Sequence, residues 1–484
     1  MDMLDLSVVF EALRAPAPEL PALGALGQRV LTDAVIDSRM AIPGCLFIAL
    51  PGEKSDGHLF VPDAFERGAA IALVQEEIPG FRTLDLRAGA EAVGLLEGLE
   101  AKAPLHLCLR VANTLEAMHK IARLWRGRLS ELRVVGITGS VGKSTTKELV
   151  ASVLSTRYAT LASESSFNNE IGLPLTLLRA TRSHRFAVLE MGFYVPGDIR
   201  LLCEISQPEI AIVTMIGPVH LERAGSLEAI ARGKAELLEA LPESGTAILN
   251  YDDERVRGMA SSSRAKILFY GLSPEAELRA SDVSSLGLEG IRFQVNFRGE
   301  TLHLHVPLLG RHSVHTALRA VAVGLVVGLT WQEILEGLGA PAVQLRLVTV
   351  EGPNGSLIVD DTYNASPDSM IAALNLLGEL GGHPIAVLGD MLELGGFEEQ
   401  GHRMVGARAA EVVGELVTIG ERARWIAEEA HLQSLSSAQI STFATAEDAL
   451  PYLKGRIRAG DVVLVKGSHA LRLDRIVSSL ESDV

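Results

Sequence analysis

The run Val134-Val135-Gly136-Ile137-Thr138-Gly139-Ser140-Val141-Gly142-Lys143-Ser144-Thr145 constrains this chain more than any other segment. Its apolar start reads as a buried strand, and Thr146-Lys147-Glu148-Leu149-Val150-Ala151-Ser152-Val153-Leu154 behind it reads as a helix. Strand, glycine loop and helix in that order make an anion cradle. Glycines let backbone N–H groups close around phosphate oxygens, and the helix N-terminus adds positive potential. Lys143 supplies a point charge, and the Ser144 hydroxyl can ligate Mg²⁺. The strict pattern would place glycine at position 137, where this chain has Ile137, so the match is to the variant Thr-Gly-x-x-Gly-Lys-Ser. Thr138, Gly139, Ser140, Val141, Gly142, Lys143, Ser144 and Thr145 are assigned to nucleotide binding on this pattern. The competing reading is an anion-binding turn without catalysis. No Asn-Lys-x-Asp guanine motif occurs, which favours ATP over GTP.

The rest of the chain supplies an α/β setting for this loop. At 484 residues, 48% apolar and 21% charged, the composition is globular and too long for one core. Residues 1–109 form a small α/β unit with short strands at 44–50 and 69–74, ending at a break over 101–104. Residues 110–338 carry strands at 132–137, 186–189 and 210–215, each followed by a helical segment, which predicts a parallel sheet wrapped by helices. Residues 339–484, opening near Pro341, repeat the alternation with strands at 357–359, 385–388 and 462–465 and suggest a Rossmann-like domain.

Several function classes are excluded by composition. The longest apolar run, 320–329, falls well short of the roughly 18 residues a membrane helix needs and reads as a buried helix. The start Met1-Asp2-Met3-Leu4-Asp5 lacks a basic secretory leader, so the cytoplasm is the expected location. Cys45, Cys108 and Cys203 have neither disulfide nor zinc spacing and are expected to be core thiols in a reducing compartment. A net charge of -16 argues against nucleic acid as a partner, so an anionic ligand must be held by local donors.

Further candidates stand at strand ends. Ala187-Val188-Leu189-Glu190 brings a carboxylate to the ligand edge of a sheet, and Glu190 reads as a Mg²⁺ ligand or else as a solvated strand end. Asp360 and Asp361 follow another apolar strand, with Tyr363 and Asn364 extending the loop. Asp361 is the candidate nucleotide contact, against an ordinary acidic turn. Arg346 offers a planar fork to phosphate or is an exposed linker arginine. Taken alone, His220 reads as a core histidine and Lys234 as an exposed helix lysine.

With the phosphate loop in place, later motifs fall into a known order. Ser166-Phe167-Asn168-Asn169-Glu170-Ile171-Gly172-Leu173-Pro174-Leu175-Thr176 is the most specific of them. Asp37-Ser38-Arg39, Asp56-Gly57-His58, Asp360-Asp361-Thr362-Tyr363-Asn364-Ala365, Leu388-Gly389-Asp390-Met391-Leu392-Glu393-Leu394-Gly395 and Lys466-Gly467-Ser468 complete the set. Together they resemble the Mur ligase family across nearly the whole chain.

The resemblance implies three domains: a small α/β UDP-binding domain, a central parallel-sheet phosphate-loop domain, and a C-terminal Rossmann-like domain. It implies ATP-dependent ligation of D-alanyl-D-alanine to the terminal carboxylate of UDP-N-acetylmuramoyl-tripeptide through an acyl phosphate, by a monomer with no membrane span. Asp37, Ser38, Arg39, Asp56, His58, Asn168 and Asn169 would serve the UDP substrate, and Arg346, Asp361, Tyr363 and Asn364 would join the ATP site. Lys143, Glu190, His220 and Lys234 would be catalytic. Two Mg²⁺ ions are implied, held by Ser144, Glu190, His220 and a carbamate on Lys234. Lys234 follows His220 by fourteen residues, the interval at which the family places its modified lysine. The chain departs from the family in having Ser313 and Thr316 where asparagines usually stand, Ser366 in the usual Asn-Ala-Asn-Pro, Leu345 before Arg346 and His469 after Gly467-Ser468. The alternatives are another amino-acid ligase of this fold, a folate-glutamate ligase, or a nucleotide-regulated binding protein without chemistry.

Overall fold

Three sheets organise the chain. A computed structural model describes residues 3–13, 24–52, 55–87, 105–164, 167–219, 221–340 and 348–481. The breaks expected at 101–104 and near Pro341 lie outside the described residues. The chain falls into two compact units that interleave along the sequence. One is drawn from Met1–Gly136, Tyr158–Gly192 and Asp198–Ile210, the other from Ile137–Arg157, Phe193–Gly197 and Ala211–Val484.

In the first unit, five short parallel strands run in the order Ala34–Val35, Leu46–Ile48, Ile71–Val74, Leu107–Arg110, Arg82–Asp85. Leu46, Phe47, Ile48 and every residue of Ile71–Val74 are fully buried, as expected of strands covered on both faces. The same unit sets strand Phe186–Glu190 between the beginning of Arg133–Thr138 and Thr160–Ala162. Helix Thr114–Arg128 starts at Asn113, whose side chain accepts from the N–H groups of Leu115 and Glu116, and it buries Met118, Ile121 and Trp125.

In the second unit, the strand that enters it at Ala211 (Ile210–Val213), Thr246–Asn250, Lys266–Gly271, Leu278–Ser285, Ile291–Phe297 and Glu300–Val306 follow one another across the sheet. Pairing is parallel from Thr246–Asn250 to Leu278–Ser285, as the alternation of strands and helices predicts. The last two strands add an antiparallel edge. They turn at Arg298 and Gly299, with φ of 50° and 87°. Two left-handed residues are what a two-residue hairpin matching the sheet twist requires. Along this edge buried Ile291, Phe293 and Val295 alternate with outward residues, which marks one solvated face. The apolar run read as a buried helix belongs to helix Val314–Val326, and Gly328, at φ 80°, takes the left-handed position just past its end.

The third sheet runs Val348–Glu351, Leu357–Asp361, Asp461–Lys466, His383–Gly389, Glu415–Ile419, Ile440–Phe443. Only its first pair is antiparallel. One apolar cluster contains Met370, Leu374, Leu388 and Leu464, and another contains Ile358, Ile385, Val417 and Val463. Alternate residues of the same strands feed opposite clusters, so the sheet is covered on both faces, the Rossmann-like arrangement expected. Asp361, Gly389 and Lys466 end their strands on the carboxyl edge, where open parallel sheets hold ligands. No helix among the described residues is long and apolar enough to cross a membrane.

Candidate functional site

The phosphate loop is built by close packing. Strand Arg133–Thr138 delivers the chain to Gly139, at φ 143°, where an added Cβ would lie 1.8 Å from the Thr214 hydroxyl. Only glycine allows this approach. Thr214 donates to the Val141 carbonyl at 2.7 Å. The Ser140 hydroxyl donates to the Gly217 carbonyl at 3.0 Å and accepts from the Gly217 N–H at 2.8 Å. Gly142, at φ 83°, opens helix Lys143–Ser155 without a side-chain cap. The helix start therefore turns the positive end of its dipole toward the loop, where it favours an anion. Ser144 is buried in the first turn and Thr145 is half-buried.

Two lysines converge on one carbonyl. Lys143 Nζ donates to the Gly139 carbonyl at 2.9 Å, and Lys234 Nζ donates to the same oxygen at 3.1 Å. Lys234 is 2% exposed on helix Leu227–Glu239, with its amine 5.2 Å from the centre of the Phe193 ring. That ring reaches it because residue 233 is glycine: a Cβ there would meet Phe193 at 1.9 Å. Burial first, and the charge of Lys143 second, push the Lys234 pKa well below the ordinary lysine value. An exposed helix lysine is thus ruled out.

The loop faces a cleft whose other walls include Leu308, Leu309, His312, Thr316, Asp361, Tyr363, Asn364 and Lys466. Asp361 and Lys466 are register partners at the ends of adjacent strands, and Lys466 Nζ meets the Asp361 carboxylate at 2.7 Å and the Asn364 carbonyl at 2.8 Å. Tyr363 is exposed beside them. Gly310 leaves room for His312, whose ring would lie 2.6 Å from a Cβ at that glycine. Burial pushes the His312 imidazole pKa down, opposed by Glu379 and Asp361, which leaves a neutral ring in the cleft wall. Ser313 donates to the Leu309 carbonyl at 2.6 Å, and Thr316 is buried next to Arg319. Sequence reading did not single out Arg319, and named His312, in the segment Gly310-Arg311-His312-Ser313, and Lys466 only as parts of motifs. A lysine closing an apolar strand was the available signal for the last.

In the first unit, Glu190 ends its strand at 1% exposure and accepts from the Asn168 side-chain amide at 3.0 Å. Asn169 instead accepts from the N–H groups of Ile171 and Gly172 at 3.3 and 2.9 Å, shaping the start of helix Gly172–Leu178. Asp37 accepts from the Arg39 N–H at 3.0 Å and pairs with its guanidinium at 2.6 Å, a contact that holds the Asp37 carboxyl below its usual range. Ser38 is buried between them. His58 donates from Nδ1 to Asp56 at 2.6 Å and accepts the Gln75 N–H on Nε2 at 2.8 Å. Both ring nitrogens are used, so His58 shapes its turn. His220, Arg346 and Ser166 lie outside the described residues.

A strand–loop–helix anion cradle facing the carboxyl edge of a Rossmann-like sheet defines a nucleotide-binding α/β protein. Residues 137–324 match the Mur ligase middle domain, 345–469 the Mur ligase glutamate ligase domain, and 34–126 the Mur ligase family catalytic domain. The UDP-N-acetylmuramoyl-tripeptide--D-alanyl-D-alanine ligase of Bacillus subtilis strain 168 is 35% identical over 457 residues, 94% of each chain. The crystal structure of MurF from Acinetobacter baumannii is similar over 99% of both chains, with a TM-score of 0.81 and 27% identity. That of MurF ligase from Thermotoga maritima in complex with ADP gives a TM-score of 0.76 at 27% identity, over 92% of this chain and 96% of the other. The chain belongs to the Mur ligase family.

Proposed function

We propose that this chain uses ATP to join D-alanyl-D-alanine to the terminal carboxylate of UDP-N-acetylmuramoyl-tripeptide, giving the UDP-muramoyl pentapeptide precursor of peptidoglycan, ADP and phosphate. The observation that carries this reading is the cradle from Gly139 to Ser144 facing Asp361 and Asn364, in a chain that matches ligases of this name along nearly its whole length. The domains are set at 1–109 for the UDP-sugar end, 110–338 for ATP and 339–484 for closing the cleft with the amine. The protein works in the cytoplasm as a monomer.

A carboxylate does not react with an amine until one oxygen becomes a leaving group. The tripeptide carboxylate attacks the γ-phosphorus of ATP, the bond to the β-bridging oxygen breaks, and ADP leaves. The D-alanyl-D-alanine amine then adds to the acyl carbon, loses a proton, and expels phosphate. Lys143 and the N–H groups at the helix start offset phosphate charge in both steps. Asp361, Tyr363 and Asn364 bound the nucleotide from the third sheet, with Arg346 added as a further phosphate contact. The turns at Asp37–Arg39 and Asp56–His58 frame the UDP-sugar, His58 by holding its turn. Asn168 orients Glu190.

The donor set suits Mg²⁺, a hard cation that prefers carboxylate, hydroxyl and phosphate oxygens. Ser144, Glu190, His220 and a carbamate on Lys234 would hold it. When bound, the metal offsets repulsion between the carboxylate and the γ-phosphate. Lys234 fits the carbamate because burial favours the neutral amine, whose lone pair adds to CO₂ with loss of one proton. Mass spectrometry tests the whole reading. Incubation with ATP, UDP-muramoyl-tripeptide and D-alanyl-D-alanine gives the pentapeptide, while single amino acids or folate substrates give none. Product from those substrates instead would overturn it.

A further inference from the structure

A buried cation behind the phosphate loop has no part in the ligation chemistry. Arg319, on helix Val314–Val326, is 5% exposed. Its Nε donates to the Tyr270 hydroxyl at 2.6 Å, Nη1 to the Thr146 and Thr316 hydroxyls at 3.0 and 3.4 Å, and Nη2 to the Thr214 carbonyl at 3.5 Å. All these acceptors are neutral oxygens. They take up most of the guanidinium's donors without cancelling its charge, and among the described residues no carboxylate forms an ion pair with it; a buried charge without a counter-ion is costly.

Its position shows what can cancel it. Nη1 lies 3.2 Å from where a Cβ would stand on Gly142, the left-handed residue that opens helix Lys143–Ser155. The Thr146 hydroxyl that accepts from Nη1 donates in turn to the Gly142 carbonyl at 2.6 Å. Thr214, whose carbonyl receives Nη2, also holds the Val141 carbonyl through its hydroxyl. The guanidinium therefore touches the loop's backbone supports at two places. Thr316, also in contact with it, lines the cleft.

We propose that Arg319 is an electrostatic positioning residue for the nucleotide: its buried charge, set behind Gly142, is balanced by the phosphates the loop binds. The proposal rests on reading the loop as the ATP site. It separates from a merely structural role by its dependence on ligand charge. A strut that only shapes the loop would weaken adenosine, ADP and ATP in proportion, whereas a charge behind the loop favours ligands by their phosphates.

Calorimetry with adenosine, ADP and ATP on wild type, Arg319→Gln, Arg319→Lys and Lys143→Ala decides the matter. Glutamine keeps hydrogen-bond donors and removes the charge, while lysine keeps the charge and loses the fork. Arg319→Gln should lose about tenfold or more in ATP affinity, less in ADP affinity and almost none for adenosine, with Arg319→Lys within about threefold of wild type. The KM for ATP should rise while that for D-alanyl-D-alanine stays put. Without nucleotide, Arg319→Gln should melt no lower than wild type. Equal losses for adenosine and ATP, unchanged ATP binding, or a Gln variant that fails to fold while Lys folds would each overturn the proposal. If wild type binds no ATP, or Lys143→Ala binds it equally well, the nucleotide site itself is wrong, a result distinct from failure at Arg319.

Discussion

The phosphate loop and the Asp56-Gly57-His58 turn look alike in sequence, since each sets a charged side chain beside glycine ahead of a helix. Their structures use that chemistry in opposite ways. Around Gly142 the helix start has no side-chain cap, and Lys143 rests on backbone carbonyls at the wall of a cleft. In the other turn, Asp56 accepts from the His58 N–H and Nδ1, and the Gln75 N–H donates to Nε2, so the imidazole is spent inside its own domain. Polar residues near glycine become a site only where packing leaves their capacity facing a cleft. Where they satisfy one another, they hold backbone shape.

The largest expected difference between the two regions is catalytic. Lys143→Ala should cost about a thousandfold or more in ligation rate, because phosphate charge then develops without its cation, and its melting temperature should match wild type. Near-normal turnover in a phosphate-release assay would erase the distinction. Lys234→Ala should lose about a hundredfold and recover in part with short carboxylic acids that enter the vacated space; full activity would remove Lys234 from the site.

The same lysine gives a stability test with a definite sign. Its folded pKa is depressed below 10.5, so between that value and the folded pKa the unfolded chain binds a proton that the folded chain does not. Wild type in bicarbonate-free buffer therefore loses stability as pH falls from the lysine range. Lys234→Met should melt higher at neutral pH, with the gap closing toward alkaline pH. Added bicarbonate should raise the wild-type melting point alone, since carbamate formation stabilises only the folded chain. A pH-independent gap would contradict the buried neutral amine.

Smaller effects sharpen the contrast. Asn168→Ala removes the amide donor to Glu190 and should slow ligation about tenfold with little change in stability. Equal loss in a Glu190→Ala background would show that Asn168 acts elsewhere. His58→Ala should leave turnover per folded molecule within about twofold, yet cost about 1–3 kcal/mol in denaturant unfolding by stranding the Gln75 N–H. A large rise in KM for the UDP substrate, with stability intact, would instead make His58 a contact.

Much of this was legible in the chain because buried parallel strands write themselves as apolar runs. The stretches read at 132–137, 186–189, 385–388 and 462–465 became Arg133–Thr138, Phe186–Glu190, His383–Gly389 and Asp461–Lys466. The strand pair Ile291–Phe297 and Glu300–Val306 was missed, since its alternating pattern is half polar and its Arg298-Gly299 turn uses an uncommon left-handed arginine. Lys143 could be read because neighbouring residues specify its role. Lys234 could not be read from local pattern, because its burial comes from Phe193 and Gly139, distant in sequence. Arg319 is similar: a lone arginine in an apolar helix gives no hint that Thr146, Thr214 and Tyr270 converge on it.

The account turns on phosphate passing to the tripeptide carboxylate at this loop. Labelling that carboxylate with ¹⁸O and analysing the released phosphate tests the step directly. An acyl phosphate requires one labelled oxygen to leave with phosphate for each pentapeptide made, with release dependent on tripeptide and D-alanyl-D-alanine together. Unlabelled phosphate, or phosphate released at the same rate without either substrate, would contradict it.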